Sequence, residues 1–265
     1  DTTAESAASG DETSADTQAA DAETTDAETT DASKTDGTFT VGFDQDFPPM
    51  GFVGDDGEFT GFDLEMAAEV AKRLNLMIAY QPIAWDAKDM ELDAGTIDCI
   101  WNGFTMNGRE DDYEWSKPYM KNNQVFVVRG DSDINSEADL AGKNVEVQTD
   151  SSAEAALNDN SELTSTFGSL TPVADYNTAF MDLESGAVDA IAMDDVVASY
   201  QITSRKADFK VLDDVIAAEE YGIGFKKGNT GLRDKVQATL EEMAADGTAA
   251  KISEKWFGKD ITTIQ

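Results

Sequence analysis

Arg109 follows Thr105 by four residues and the segment Trp101-Asn102-Gly103 by six. A guanidinium is a planar fork that matches the two oxygens of a carboxylate. A hydroxyl at Thr105 and free backbone amides beside it would complete a carboxylate-binding set. The competing reading makes Arg109 a surface residue paired with Glu110, Asp111 or Asp112. Ser151 and Ser152 open a segment with the Ser-x-x-Glu spacing of a helix start, ending at Glu154. Unpaired N–H groups and the positive end of a helix dipole also favour an anion, although taken by themselves these serines read first as ordinary caps. Asp194 carries the opposite sign and suits an ammonium, or else is a solvated loop acid. Together these residues describe a clamp for a zwitterion, positive on one side and negative on the other. Phe47, in the loop with Pro48 and Pro49, and Trp85, directly before the expected helix cap Asp86, offer faces that stack on the aliphatic part of a ligand or that pack a core.

Other chemistry is excluded by what the chain lacks. Its 265 residues contain no histidine, so neither a histidine general base nor a histidine metal site is possible. The single cysteine, Cys99, cannot form an internal disulfide and lies in an apolar run, where a buried thiol is inert. No phosphate-cradling glycine loop and no Gly-x-Ser-x-Gly elbow occurs, so no cofactor is expected. The net charge of −35 repels phosphate backbones and anionic membrane surfaces, which excludes nucleic acid as a partner. No apolar run approaches the roughly 18 residues of a membrane span. No signal peptide is recognisable, so an exported protein would be in its processed form here.

Those residues need elements to hold them. Phe39 to Phe43 reads as a strand, and Met77 to Tyr80 as another. Between them Leu64, Ala67, Ala71 and Leu74 recur with helical period, with Asp63 as the expected N-cap. Strands alternating with helices predict an α/β architecture with a largely parallel sheet. Met90-Glu91-Leu92-Asp93-Ala94-Gly95-Thr96-Ile97-Asp98-Cys99-Ile100 is echoed by Met181-Asp182-Leu183-Glu184-Ser185-Gly186-Ala187-Val188-Asp189-Ala190-Ile191. Each copy reads as a helix end, a capping glycine and a buried strand. An offset of 91 residues fits two lobes of similar design. Ligands of open α/β sheets sit outside the carboxyl ends of strands, which directs attention to Asn102 and Gly103 after one copy and to Asp194 after the other.

The pattern divides the chain into an acidic spacer over 1–36, a first lobe over 37–127 and 221–265, and a second lobe over 128–220. The spacer has no Val, Ile, Leu, Phe, Tyr or Trp, and its eleven acids against Lys34 give −10, leaving −25 on the rest. Such a composition cannot bury enough apolar surface to order a chain, so disorder is expected. Two extended stretches, Gln124 to Val128 and Tyr221 to Phe225, flank the second lobe and would form a two-stranded hinge.

In order and spacing these residues resemble the extracellular solute-binding proteins of family 3, the polar amino-acid type, over roughly 38–260. The resemblance rests on Val41-Gly42-Phe43-Asp44 with Pro48-Pro49-Met50, Gly61-Phe62-Asp63-Leu64, Gly103-Phe104-Thr105 to Arg109, and Trp115-Ser116-Lys117-Pro118-Tyr119. It continues through Asp139-Leu140-Ala141-Gly142-Lys143, Val188-Asp189-Ala190 with Asp194, and Asp246-Gly247-Thr248 with Trp256-Phe257-Gly258. It implies a type II periplasmic-binding-protein fold, an amino acid held between closing lobes, and permease subunits of an ABC importer as partners. Arg109, Thr105 and the Ser151/Ser152 helix start would hold the ligand carboxylate. Asp194 and the Gly103 carbonyl would hold its ammonium, and Asp44, Phe47 and Trp85 would face its side chain. A carboxylate at Asp44 makes lysine or arginine the first expectation, with glutamine or cystine next if Asp44 bonds its own loop. The family spacing Thr-x-Thr-x-x-Arg is one residue shorter here, with Asn107 standing in for the second threonine. A monomer is expected outside the cell membrane or in a periplasm, touching membrane only through an N-terminal lipid anchor upstream of Asp1. A dehydratase-like enzyme on the same fold and the ligand-sensing domain of a receptor are the alternatives.

Overall fold

The computed structural model describes residues 37–265; the acidic spacer expected over 1–36 lies outside the described residues. The described residues open with β1 (Thr38–Phe43), the short strands β2 (Asp46–Phe47), β3 (Gly51–Val53) and β4 (Phe59–Thr60), and then α1 (Phe62–Arg73). After β5 (Met77–Pro82) come α2 (Lys88–Ala94), β6 (Cys99–Thr105), β7 (Glu114–Trp115) and the long β8 (Met120–Arg129). A second group holds β9 (Asn144–Gln148), α3 (Ser152–Asp159), α4 (Ser161–Thr164), β10 (Ser169–Val173), α5 (Tyr176–Ser185), β11 (Ala190–Asp194) and α6 (Asp195–Arg205). The chain returns along β12 (Phe209–Phe225) and finishes with α7 (Thr230–Ala245) and α8 (Thr248–Phe257).

One sheet runs through the fold in the order β10-β9-β11-β8-β12-β6-β1-β5, with β7 pairing on β12. Its two ends are parallel trios: β6-β1-β5 in a first half and β10-β9-β11 in a second. Between them β8 and β12 pair antiparallel from Met120 opposite Tyr221 to Arg129 opposite Phe209. These two strands therefore connect the halves, and both run longer than their apolar runs alone suggest. Register shifts interrupt β12 between Val211 and Ala217, where polar and apolar residues no longer alternate.

The echoed segments form the same unit in each half. Helix α2 ends at Gly95 and α5 at Gly186, both left-handed, and each chain then enters a buried strand, β6 or β11. The left-handed residue satisfies the last carbonyls of the helix at a backbone angle that glycine adopts without strain. Helix α7 buries Leu232, Val236, Leu240 and Met243 on one face, each worth about 1.5–3 kcal/mol when fully removed from water.

Two expected caps are corrected. Helix α1 starts two residues earlier than read, with Gly61 as N-cap, and Asp63 lies within its first turn, fully buried. Its carboxylate accepts from the Gly103 N–H at 2.6 Å and the Tyr119 hydroxyl at 2.9 Å. Asp86, read as the cap of the following helix, instead sits inside a 3-10 turn over Trp85–Ala87, and α2 is preceded by Ala87.

Candidate functional site

The carboxyl ends of β6, β9 and β11 face one small cavity. The first half contributes Phe47, Trp85, Asn102, Gly103, Thr105 and Arg109 to its wall; the second contributes Gln148, Ser151, Ser152 and Asp194. Nine of the ten residues singled out in the sequence thus meet here. Asp44 does not line it. Its carboxylate accepts from the Asp46 N–H at 2.8 Å and from the Gln148 amide at 2.7 Å, and it borders a wider cleft with Asp46, Asp86 and Asp175.

Arg109 forms no ion pair with Glu110, Asp111 or Asp112. Its guanidinium donates to the carbonyls of Thr105 at 3.2 Å and Asp150 at 3.0 Å and lies 5.2 Å from the Phe104 ring centroid. The Trp115 indole N–H donates to the Arg109 carbonyl at 3.0 Å, which fixes the shortened loop from its far side. Asn107 plays no part in the cavity wall; its side-chain oxygen accepts from the Glu220 N–H on β12 at 2.9 Å. Ser151 caps α3 by accepting from the Glu154 N–H at 3.1 Å, while Glu154 reaches back to Asp150 rather than to Ser151.

The acidic side is a buried network. Asp194 accepts from the Tyr221 hydroxyl at 2.7 Å and the Asn122 amide at 2.9 Å. The same Asn122 nitrogen donates to Glu219 at 2.7 Å, and Glu219 also accepts from Thr105 at 2.8 Å and Gln124 at 2.7 Å. No Lys or Arg among the described residues pairs with either acid. Burial, and then the neighbouring Glu219, push the Asp194 carboxyl well above its ordinary range. An ammonium placed against Asp194 would reverse that shift. Gly103 has a φ of +55°, and a Cβ there would stand 3.2 Å from both Phe47 and Tyr221. Only glycine turns the strand end there without strain, and the buried Asp63 holds its N–H.

Gln148, Glu219, Asn122, Gln124 and Tyr221 did not emerge from the sequence. Gln148 ends β9, so the strand-end rule would have found it. Glu219 and its partners lie on the connecting strands, where no local pattern distinguishes a buried acid from a solvated one.

Residues 39–259 match the model of the bacterial extracellular solute-binding proteins, family 3. The chain belongs to that family. Members are binding proteins, and the chain is not an enzyme. The L-cystine-binding protein TcyJ of Escherichia coli is 34% identical over 228 residues, 85% of this chain and 84% of TcyJ. The L-cystine-binding protein TcyA of Bacillus subtilis is 32% identical over 227 residues, 84% of this chain and 82% of TcyA. A Streptococcus pneumoniae ABC uptake transporter substrate-binding protein, solved with bound histidine, superposes with a TM-score of 0.83 at 34% identity, covering 86% of this chain and 95% of that one. The family's type II fold is the two-half arrangement described above.

Proposed function

We propose that the cavity binds a free polar amino acid with a non-acidic side chain, for delivery to the permease subunits of an ABC importer. One observation supports this above the others: the ion-pair-free guanidinium of Arg109 and the cation-free carboxylate of Asp194 border the same small cavity. In a chain with 54 acids and 19 bases, an arginine without a carboxylate partner awaits one from outside. Arg109, Thr105 and the start of α3 take the ligand carboxylate; Asp194 and Gly103 take its ammonium. Phe47 and Trp85 cover its methylenes, and the side chain points toward the cleft shared by Asp44, Asp46, Asp86 and Asp175, which repels glutamate and aspartate. The halves close about β8 and β12. Tethering by a lipid upstream of Asp1 is part of the same reading, with the acidic segment as spacer.

A thermal-shift screen against the twenty amino acids, cystine and common derivatives tests it. With a dissociation constant of about 1 μM, ligand at about 1 mM adds up to roughly 4 kcal/mol to the folded state. That corresponds to a rise of roughly 8–16 °C as an upper limit. No shift with any of these compounds would overturn the reading.

A further inference from the structure

Asp150 belongs to the second half, between β9 and α3, yet its three cross-chain partners all lie in the first. The Trp85 indole N–H donates to its carbonyl at 3.2 Å, Arg109 donates to the same carbonyl at 3.0 Å, and the Lys88 ammonium pairs with its carboxylate. Lys88 is the first residue of α2 and is 1% exposed. Its nitrogen lies 5.1 Å from the Trp85 ring centroid, and Asp150 is its only charge partner among the described residues. Asp150 itself has a φ of +59°, a conformation that Asp and Asn tolerate better than other side chains. Neither Lys88 nor Asp150 lines the ligand cavity.

We infer that Lys88 and Asp150 are positioning residues: a latch across the two halves that sets affinity for every ligand without touching any. The inference rests on the reading of the cavity as a solute site. Closure buries the ammonium of Lys88 and costs its hydration; the Asp150 carboxylate offsets that cost only when the halves meet. The same contact brings the Asp150 carbonyl onto Arg109 and Trp85, two residues of the cavity wall, so the latch also orients the carboxylate-binding fork.

The pair is asymmetric, and the asymmetry gives the test. Asp150→Asn keeps the left-handed backbone but leaves an ammonium that closure must bury alone. Lys88→Met keeps the apolar stem against Trp85 and leaves a half-exposed, solvated acid. Calorimetric titration of the full chain with the strongest thermal-shift ligand should show about 100-fold weaker binding for Asp150→Asn and about 10-fold for Lys88→Met. The double variant should resemble Lys88→Met, with the ranking of ligands unchanged throughout. A second readout needs no ligand. Spin labels at Met90→Cys on α2 and Met181→Cys on α5, both exposed positions, report the separation of the halves while Cys99 stays buried. Ligand-free Asp150→Asn should shift that distance distribution to longer values. Equal losses for the two single variants, or a double variant weaker than either, would overturn the charge-burial argument. Unchanged distances together with unchanged affinity would overturn the latch. If no amino acid binds, the distances alone decide it, so its failure stays separate from that of the proposed function.

Discussion

The Gln148 amide stands 2.7 Å from the Asp44 carboxylate and ties the end of β9 in one half to the loop after β1 in the other. The second Asp44 oxygen is taken by the Asp46 N–H, two residues on. Both oxygens are therefore engaged before any ligand arrives, as Asp commonly is in turns. This favours a structural role over direct reading of a cationic side chain. Asp44→Asn should weaken lysine, arginine, glutamine and cystine by similar factors, because it disturbs the Gln148 contact rather than a ligand charge. Parallel titrations check this; a loss of a decade or more confined to lysine and arginine would restore the cationic reading.

Arg109→Ala should abolish binding while leaving the fold intact, since the guanidinium makes two hydrogen bonds to carbonyls and no ion pair. Removing one partner of a desolvated charge pair costs about 3–5 kcal/mol, or two to four decades of affinity. Arg109→Lys should fail as well, because a point charge does not replace the fork. Near-normal titration of Arg109→Ala, with an unchanged melting curve, would mean that the carboxylate sits elsewhere.

Local grammar was legible in the sequence and through-space partnership was not. The helix–glycine–strand echo foretold α2-Gly95-β6 and α5-Gly186-β11, because capping and burial are written in neighbouring residues. The strand-end rule then brought Gly103 and Asp194 forward before any contact was known. Asp63 was misread as a cap because capping and burial both place an acid at the head of a helix; only the approach of Gly103 and Tyr119 from elsewhere separates them. Glu219 escaped for the same reason, being joined to Thr105 from 114 residues away. Lys88 looked like any charged helix residue, and its burial depends on Asp150 across the cleft.

Gly103→Ala should cost both stability and affinity. The new methyl would meet Phe47 and Tyr221 at 3.2 Å while the backbone stays at φ +55°. Strain of this kind costs about 1–2 kcal/mol, and the carbonyl aimed at the ammonium would turn with it. Chemical denaturation should show the stability loss and calorimetry a parallel loss of affinity. Wild-type values in both would mean the strand end relaxes freely and does not hold the ligand.

Stability should fall as pH rises from about 5 to 8. Burial raises the Asp44 carboxyl from 3.8 to about 6 and the Asp63 carboxyl from 3.8 to about 7. Between 3.8 and those folded values the native chain holds protons that the unfolded chain has already released. Raising the pH through that window therefore favours unfolding. The high value of Asp194 acts in the same direction. Exposed acids held low, such as Asp246 at about 2 beside Thr248 and Arg73, act oppositely but only in more acidic solution. The net loss between about pH 5 and 8 should be on the order of 2 kcal/mol, or roughly 4–8 °C of melting temperature at this size. Asp63→Asn, which keeps an acceptor for Gly103 without a charge, should flatten the dependence. Saturating ligand should lessen the contribution from Asp194, because the bound ammonium stabilises its ionised form. A melting temperature that is level or rises between these pH values would show that the buried acids are ionised in the native chain and paired in some other way.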